Sequence, residues 1–259
     1  MLVLSEILKE YPENIRGFQG FIIREYLQYK ILQILFDSPF ANEFSFLGGT
    51  CLRIVHGNTR FSEDLDFDNF QIPKEQFSKV SETITKELEK EGYEVEMRMV
   101  LKNAFHCIIK FPELLYSQGL SGHREEKILI QLDTEPQQFE FTPDKIILNK
   151  FDVFTQINCT PLDLLLAQKF YAILNRKRNK GRDFFDVVFL LSKIDVPNYN
   201  YLEQKLGIDN AMDLKDRILK HCACIDMEEM AKDVQPFLFN PRDVNKVRLF
   251  AEYMGHVQL

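Results

Sequence analysis

Two glycines and three aspartates carry the first chemical signal in this 259-residue chain: Gly48 and Gly49, followed by Thr50, and then Asp64, Asp66 and Asp68. Paired glycines let a backbone approach a ligand with no Cβ in the way. Phe44–Leu47 reads as a short buried strand that stops at the glycines, and residues 50–56 read as a helix. Unpaired N–H groups at such a helix start suit a phosphate. A strand over residues 63–68 puts Asp64, Asp66 and Asp68 on one face and Leu65 and Phe67 on the other. Same-face neighbours lie about 7 Å apart, near enough to share divalent ions about 4 Å apart. Stacked carboxylates cost free energy unless a cation neutralises them, so the pattern asks for Mg²⁺ (or Mn²⁺). Taken singly, each half has a plainer use: Gly-Gly as a turn, Asp-x-Asp as a solvated edge strand.

Further along, residues 127–132 form a short apolar strand that ends on Asp133, either a third acid or the start of a turn before Pro136. Asp144 and Asp152 are weaker competitors in turn-like settings. Lys169 stands on the apolar face of a helix that starts at Thr160-Pro161 and runs to about Asn175, with Thr160 as cap. A lysine there either snorkels to water or meets a buried anion. Arg176, Lys177, Arg178, Lys180 and Arg182 follow, and then Asp183 and Asp186. Asp183 reads as a helix N-cap with Asp186 in the first turn, a structural use compatible with presenting an oxygen to a ligand.

The order and spacing resemble the first motif of the polymerase β nucleotidyltransferase superfamily. The string GGTCLRIVHGNTRFSEDLDF is similar to one branch of it, the AbiEii/AbiGii nucleotidyltransferase toxins, with Leu52, Arg60, Phe61, Ser62, Asp64, Leu65, Asp66 and Phe67 at the characteristic places. Arg182, Asp183 and Asp186 match that branch's Arg-Asp-x-x-Asp signature. The resemblance spans residues 21–191. It implies that Asp64, Asp66 and Asp133 hold the metal, and that Gly48, Gly49, Thr50, Arg60, Ser62, Lys169 and Arg182 bind the nucleotide. It places Lys169 and Asp183 with the three metal acids as catalytic residues, and Ser62 at a position that can itself be modified.

These residues need a scaffold. Helices are expected over 2–10, 14–37 and 74–91, strands over 93–101 and 104–110 joined at Lys102 and Asn103, and a polar loop over 115–124. After residue 198 the pattern is helical throughout, with a last helix over 241–255. The expected fold is α/β (α+β): a nucleotidyltransferase core with a mixed sheet over 1–156, and a helical domain over 157–259 that completes the active-site cleft.

Composition bounds the rest. With 45% hydrophobic and 27% charged residues the chain is an ordinary globular protein, and its net charge of −7 gives no general adhesion to nucleic acid. The basic run over 176–182 is the local exception, suited to phosphates of an RNA end; we assign Arg176, Lys177, Arg178 and Lys180 to it. No apolar run reaches membrane length and the N-terminal stretch lacks a cationic leader, so a cytoplasmic protein without membrane contact is expected. Five cysteines without Cys-x-x-Cys spacing argue for a reducing compartment and against structural zinc, leaving Cys222 and Cys224 near His221 as the one conceivable soft-metal cluster.

The resemblance thus implies transfer of a nucleoside monophosphate from NTP to an RNA acceptor, the 3′ end of tRNA, by the toxin of a type IV pair with a cognate antitoxin. A small-molecule or protein acceptor, and a non-catalytic nucleotide-binding module, are the alternatives.

Overall fold

The computed structural model describes residues 2–101 and 105–259. It divides into two units: the first takes Met1–His56 and Phe61–Cys159, the second Gly57–Arg60 and Thr160–Leu259. No helix among the described residues is long and apolar enough to cross a membrane.

The first unit is built on a mixed seven-stranded sheet. Its strands are β1 (Phe44–Leu47), β2 (Leu65–Asn69), β3 (Glu96–Leu101), β4 (Phe105–Phe111), β5 (Ile128–Glu135), β6 (Asp144–Lys150) and β7 (Val153–Cys159), in the spatial order β3-β4-β5-β2-β1-β7-β6. The β2/β5 and β1/β7 pairs are parallel and the others antiparallel. The helices are α1 (Leu4–Lys9), α2 (Gln19–Phe36), α3 (Gly48–Ile54), α4 (Lys74–Lys90) and α5 (Leu114–Ser117). Leu65 and Phe67 of β2 and Ile128, Ile130 and Leu132 of β5 turn inward, as the period-two pattern requires.

Helix α2 is buried nearly all round, with Ile22, Leu27, Ile31 and Leu32 fully enclosed. The acid in its core-facing stripe, Glu25, accepts hydrogen bonds from the Tyr11 hydroxyl at 2.8 Å and Arg53 Nε at 2.8 Å and pairs with Lys150 at 3.1 Å. Burial pushes the Glu25 carboxyl up, but Arg53 and Lys150 outweigh it and hold it below its ordinary range. Because Arg53 lies on α3, this charge cluster fixes the helix that follows the glycines. Gln28, also on α2, donates to the carbonyls of Ser62 at 3.1 Å and Glu63 at 2.8 Å, fixing the approach to β2.

Several expectations need correction. The expected junction at Lys102 and Asn103 lies outside the described residues. The loop expected over 115–124 contains the short helix α5. Of Asp144 and Asp152, both read in turn-like settings, Asp144 instead opens β6, while Asp152 does lie in the two-residue turn of the β6/β7 hairpin. That turn escapes sequence patterning because its first residue is Phe151 at φ 59°, where Asn or Gly is usual. The ring contacts of Phe151 with Tyr11, Tyr26 and Tyr29 hold the strained backbone in place.

The second unit is helical: α6 (Leu162–Asn175), α7 (Gly181–Leu191), α8 (Tyr199–Leu206), α9 (Ala211–Cys222), α10 (Met227–Val234), α11 (Asn245–Arg248) and α12 (Phe250–His256). Arg60 bridges to Leu238, and the Thr59 carbonyl accepts from Phe239 N at 3.2 Å. The single helix expected over 241–255 is a 3₁₀ turn, Pro241–Val244, followed by α11 and α12, with the break at Leu249 (φ −94°, ψ 14°). Pro161, not Thr160, occupies the N-cap of α6, and Lys180 that of α7, so Asp183 sits inside the first turn of α7 instead of capping it.

Candidate active site

In the first unit the glycine motif and the acid motif meet at one point. Gly48 has φ +78°, and a Cβ built on it would come within 2.2 Å of Asp66 Oδ2. Only glycine meets both demands, the left-handed backbone and the missing side chain. The Thr50 hydroxyl donates to the Asp64 carbonyl, tying the first turn of α3 to the residue that precedes β2. Asp64 and Asp66 are half-buried. Asp68 is buried and accepts from Gln137 N at 2.9 Å, which gives the third acid of the row a structural use.

Asp133 lies inside β5, directly beside Asp66 on β2 in parallel register, so the reading of it as a turn residue fails. On the other side it faces His106 of β4, whose Nδ1 lies 2.7 Å from Asp133 Oδ1. Gln131, two residues back on the same face, donates to both Asp133 oxygens at 2.8 Å. Leu47, Asp66, Asp133 and His106 therefore form one row across four strands. His106 and Gln131 carried no signal in the sequence, because a register across strands is not written in local spacing. Asp64, Asp66 and Asp133 all offer carboxylate oxygen, the donor a hard cation such as Mg²⁺ takes, but their oxygens do not all lie within 4.8 Å of one another. Ser62 is half-buried just before these acids.

The second unit holds a compact ionic cluster. Lys169 Nζ lies 2.9 Å from Asp183 Oδ1 and 2.8 Å from Asp186 Oδ2. Arg60 grips both oxygens of Asp186, at 2.8 Å through Nε and 2.6 Å through its second terminal nitrogen, and Asn58 Nδ2 adds a bond at 2.8 Å. Burial works against the Lys169 charge, but Asp183 and Asp186 outweigh it and keep its ammonium above its ordinary range. Burial likewise opposes the Asp186 charge, and Arg60 and Lys169 overcome it and hold the carboxyl below its ordinary range. Of the two alternatives open for Lys169, the buried anion is the one found. Arg60, expected at the nucleotide, has a guanidinium that is fully enclosed against Asp186, a structural use of that side chain.

Asp183 is buried, and its Oδ2 makes no hydrogen bond, with only the Arg176 guanidinium 3.4 Å away. Gly181 opens α7 for a steric reason: a Cβ there would fall 1.8 Å from the Met230 carbonyl oxygen. Its N–H donates to Asp233 at 2.9 Å. Arg176, Lys177 and Arg178 are exposed, Lys180 is half-buried, and Arg182 lies 4.9 Å over the Phe237 ring.

A third cluster was not foreseen. Cys51 and Cys159, both buried, have sulfurs 3.2 Å apart, and His56 Nε2 lies 3.9 Å from Cys159 Sγ. Among the described residues this is the one group of three His, Cys, Asp or Glu side chains whose ligand atoms lie within 4.8 Å of one another. Cys222 and Cys224, the pair singled out by spacing, are not part of such a group.

Comparison with known proteins agrees with the motifs. In overall fold the chain is similar to MenT4, a nucleotidyltransferase toxin from Mycobacterium tuberculosis H37Rv, with TM-score 0.59 and 13% identity over 100% of this chain and 91% of that one. It is also similar to JHP933 from Helicobacter pylori, with TM-score 0.54 and 16% identity over 90% of this chain and 91% of that one. No curated protein sequence matches it. The family profile described as "Nucleotidyl transferase AbiEii toxin, Type IV TA system" matches residues 30–246, a span that holds both motif sets, and the chain is therefore a nucleotidyltransferase of the AbiEii toxin family.

Proposed function

We propose that the protein transfers a nucleoside monophosphate from an NTP to the 3′ end of an RNA, tRNA above all, with Mg²⁺ (or Mn²⁺) bound, and that a cognate antitoxin opposes it. The observation that carries this reading is the notch at Gly48, which seats the Asp66 carboxylate beside the start of α3 with Asp133 next to it in register. A divalent cation held by Asp64, Asp66 and Asp133 would neutralise the triphosphate and polarise its α-phosphate.

The chain's own residues supply the rest. Backbone N–H groups of Gly49 and Thr50, at the start of α3, hold the outer phosphates. Asp133, steadied by Gln131 and His106, accepts the proton of the acceptor hydroxyl. The hydroxyl oxygen bonds to the α-phosphorus and pyrophosphate leaves. Lys169 positions Asp183 and contributes positive charge toward phosphate, and Asp183 Oδ2 accepts from a substrate hydroxyl. The basic residues Arg176, Lys177, Arg178 and Lys180 take phosphates of the RNA end.

The test is direct. Purified protein, one labelled NTP at a time, Mg²⁺ and total RNA should give label on tRNA. Label on protein or on small molecules moves the acceptor elsewhere, and no transfer with any NTP overturns the reading.

A further inference from the structure

The thiols of Cys51 and Cys159 and the imidazole of His56 sit where none of the chemistry above uses them. Cys51 follows Thr50 on α3, His56 follows the end of that helix, and Cys159 ends β7. The two cysteines are 108 positions apart in the chain, yet the three ligand atoms gather within 4.8 Å. Two sulfurs and a nitrogen held this close are a donor set with a chemical preference. Thiolate and imidazole together favour zinc over the hard cations that carboxylates hold.

The dimensions agree. With Zn–S near 2.3 Å and Zn–N near 2.0 Å, a tetrahedral site has an S–S edge of about 3.8 Å and an S–N edge of about 3.5 Å. Here the edges are 3.2 Å between the sulfurs and 3.9 Å from Cys159 Sγ to His56 Nε2. Shifts of about half an ångström, within the freedom of side-chain torsions, convert one into the other. A fourth donor stands nearby. Asp144 of β6 is the cross-strand partner of Cys159, so its exposed carboxylate projects from the same face.

We propose that Cys51, His56 and Cys159 form a zinc site, with Asp144 or water as the fourth ligand, that pins α3 to the end of β7. The site is distinct from the acid row: its donors are soft where those are hard, and it ties together backbone instead of facing a substrate. Its consequence is a fixed position for the helix that begins at the glycine motif. It does not rest on the acceptor or on the identity of the NTP.

The test uses the full chain, stripped with a chelator under reducing, anaerobic conditions, and Co²⁺ as the spectroscopic probe. A single equivalent of Co²⁺ should give a thiolate-to-metal charge-transfer band with the visible bands of tetrahedral cobalt, and one equivalent of Zn²⁺ should abolish both. Cys51→Ser and Cys159→Ser should each lose the charge-transfer intensity and bind Zn²⁺ at least tenfold more weakly. Cys224→Ser, at an exposed thiol, should leave the spectrum unchanged. His56→Ala, at a half-buried position, should fold like the parent and weaken binding about tenfold or more. Zn²⁺ should raise the melting temperature of the parent and not of Cys159→Ser. Absence of the charge-transfer band in the parent overturns the proposal. So does a spectrum that survives in both cysteine variants, or one that Cys224→Ser removes.

Discussion

Asp66 Oδ2 occupies the space that any side chain at residue 48 would need, 2.2 Å from the position of a Cβ on Gly48. The glycine is thus part of the acid site, and substituting it has two separable costs. Gly57 has nearly the same backbone, φ +77°, but nothing within 4 Å of its Cβ position. Gly57→Ala should cost about 1 kcal/mol from left-handed backbone strain alone. Gly48→Ala should cost more and should also abolish nucleotide transfer, because Asp66 must move. Denaturant melts and transfer assays on the pair measure both effects; equal behaviour of the two variants would deny Gly48 its role.

Asp64→Asn and Asp66→Asn should each abolish transfer in Mg²⁺ and leave the melting temperature unchanged or higher, since each relieves repulsion within a row of like charges. Near-parental transfer by either variant would remove that residue from the metal set.

Asp186 is a different kind of acid. It is fully buried between Arg60 and Lys169, so Asp186→Asn strands two buried cations and should destabilise the protein by about 3–5 kcal/mol. The pH dependence follows from the shifts. The folded-state pKa of Asp186 is depressed below 3.8, so its contribution is present above 3.8 and is lost as pH falls through the lower folded value. Lys169 is raised above 10.5, so its contribution is present below 10.5 and is lost as pH rises beyond. Stability from the cluster should therefore be flat between those limits, and acid unfolding of Asp186→Asn should show a weaker pH dependence below pH 3.8 than the parent.

His106 holds Asp133 from the neighbouring strand. His106→Asn should lower the rate constant of transfer about tenfold to a hundredfold while leaving KM for NTP within about twofold, as expected for a residue that positions a base and does not contact substrate. A matching rise in KM would instead place His106 at the nucleotide.

The basic run divides in two. Arg182 stacks on Phe237 and Arg176 also pairs with Asp183, so Lys177, Arg178 and Lys180 are the members of the proposed RNA-binding set to change together. Changing these three to Ser should flatten the salt dependence of tRNA binding, by about 0.7 in slope for each phosphate that is no longer neutralised, with NTP affinity unmoved. An unaltered slope would make the segment a solvated connection and favour an acceptor other than RNA.

Local pattern determined a good deal of this protein. Period-two alternation put Leu65 and Phe67 on one side of β2 and Asp66 on the other, and Gly-Gly-Thr announced α3, because both are properties of a few consecutive residues, although the helix runs Gly48–Ile54 and not 50–56. Helical spacing located the end of α6 at Asn175, although the helix starts one residue later than the Thr-cap, proline-first pattern implied. The order of the motifs was enough for the family. What required the tertiary structure was every partnership across sequence distance. Arg60 stands in the first motif, yet it closes on Asp186 in the second unit, since a buried guanidinium must find a carboxylate wherever the chain brings one. His106 meets Asp133 only because β4 and β5 align in one register of several that the alternation would allow. The cysteine spacing argued against a metal site, and the fold gathers Cys51 and Cys159 all the same, because β1 runs beside β7 and carries α3 to the end of that strand.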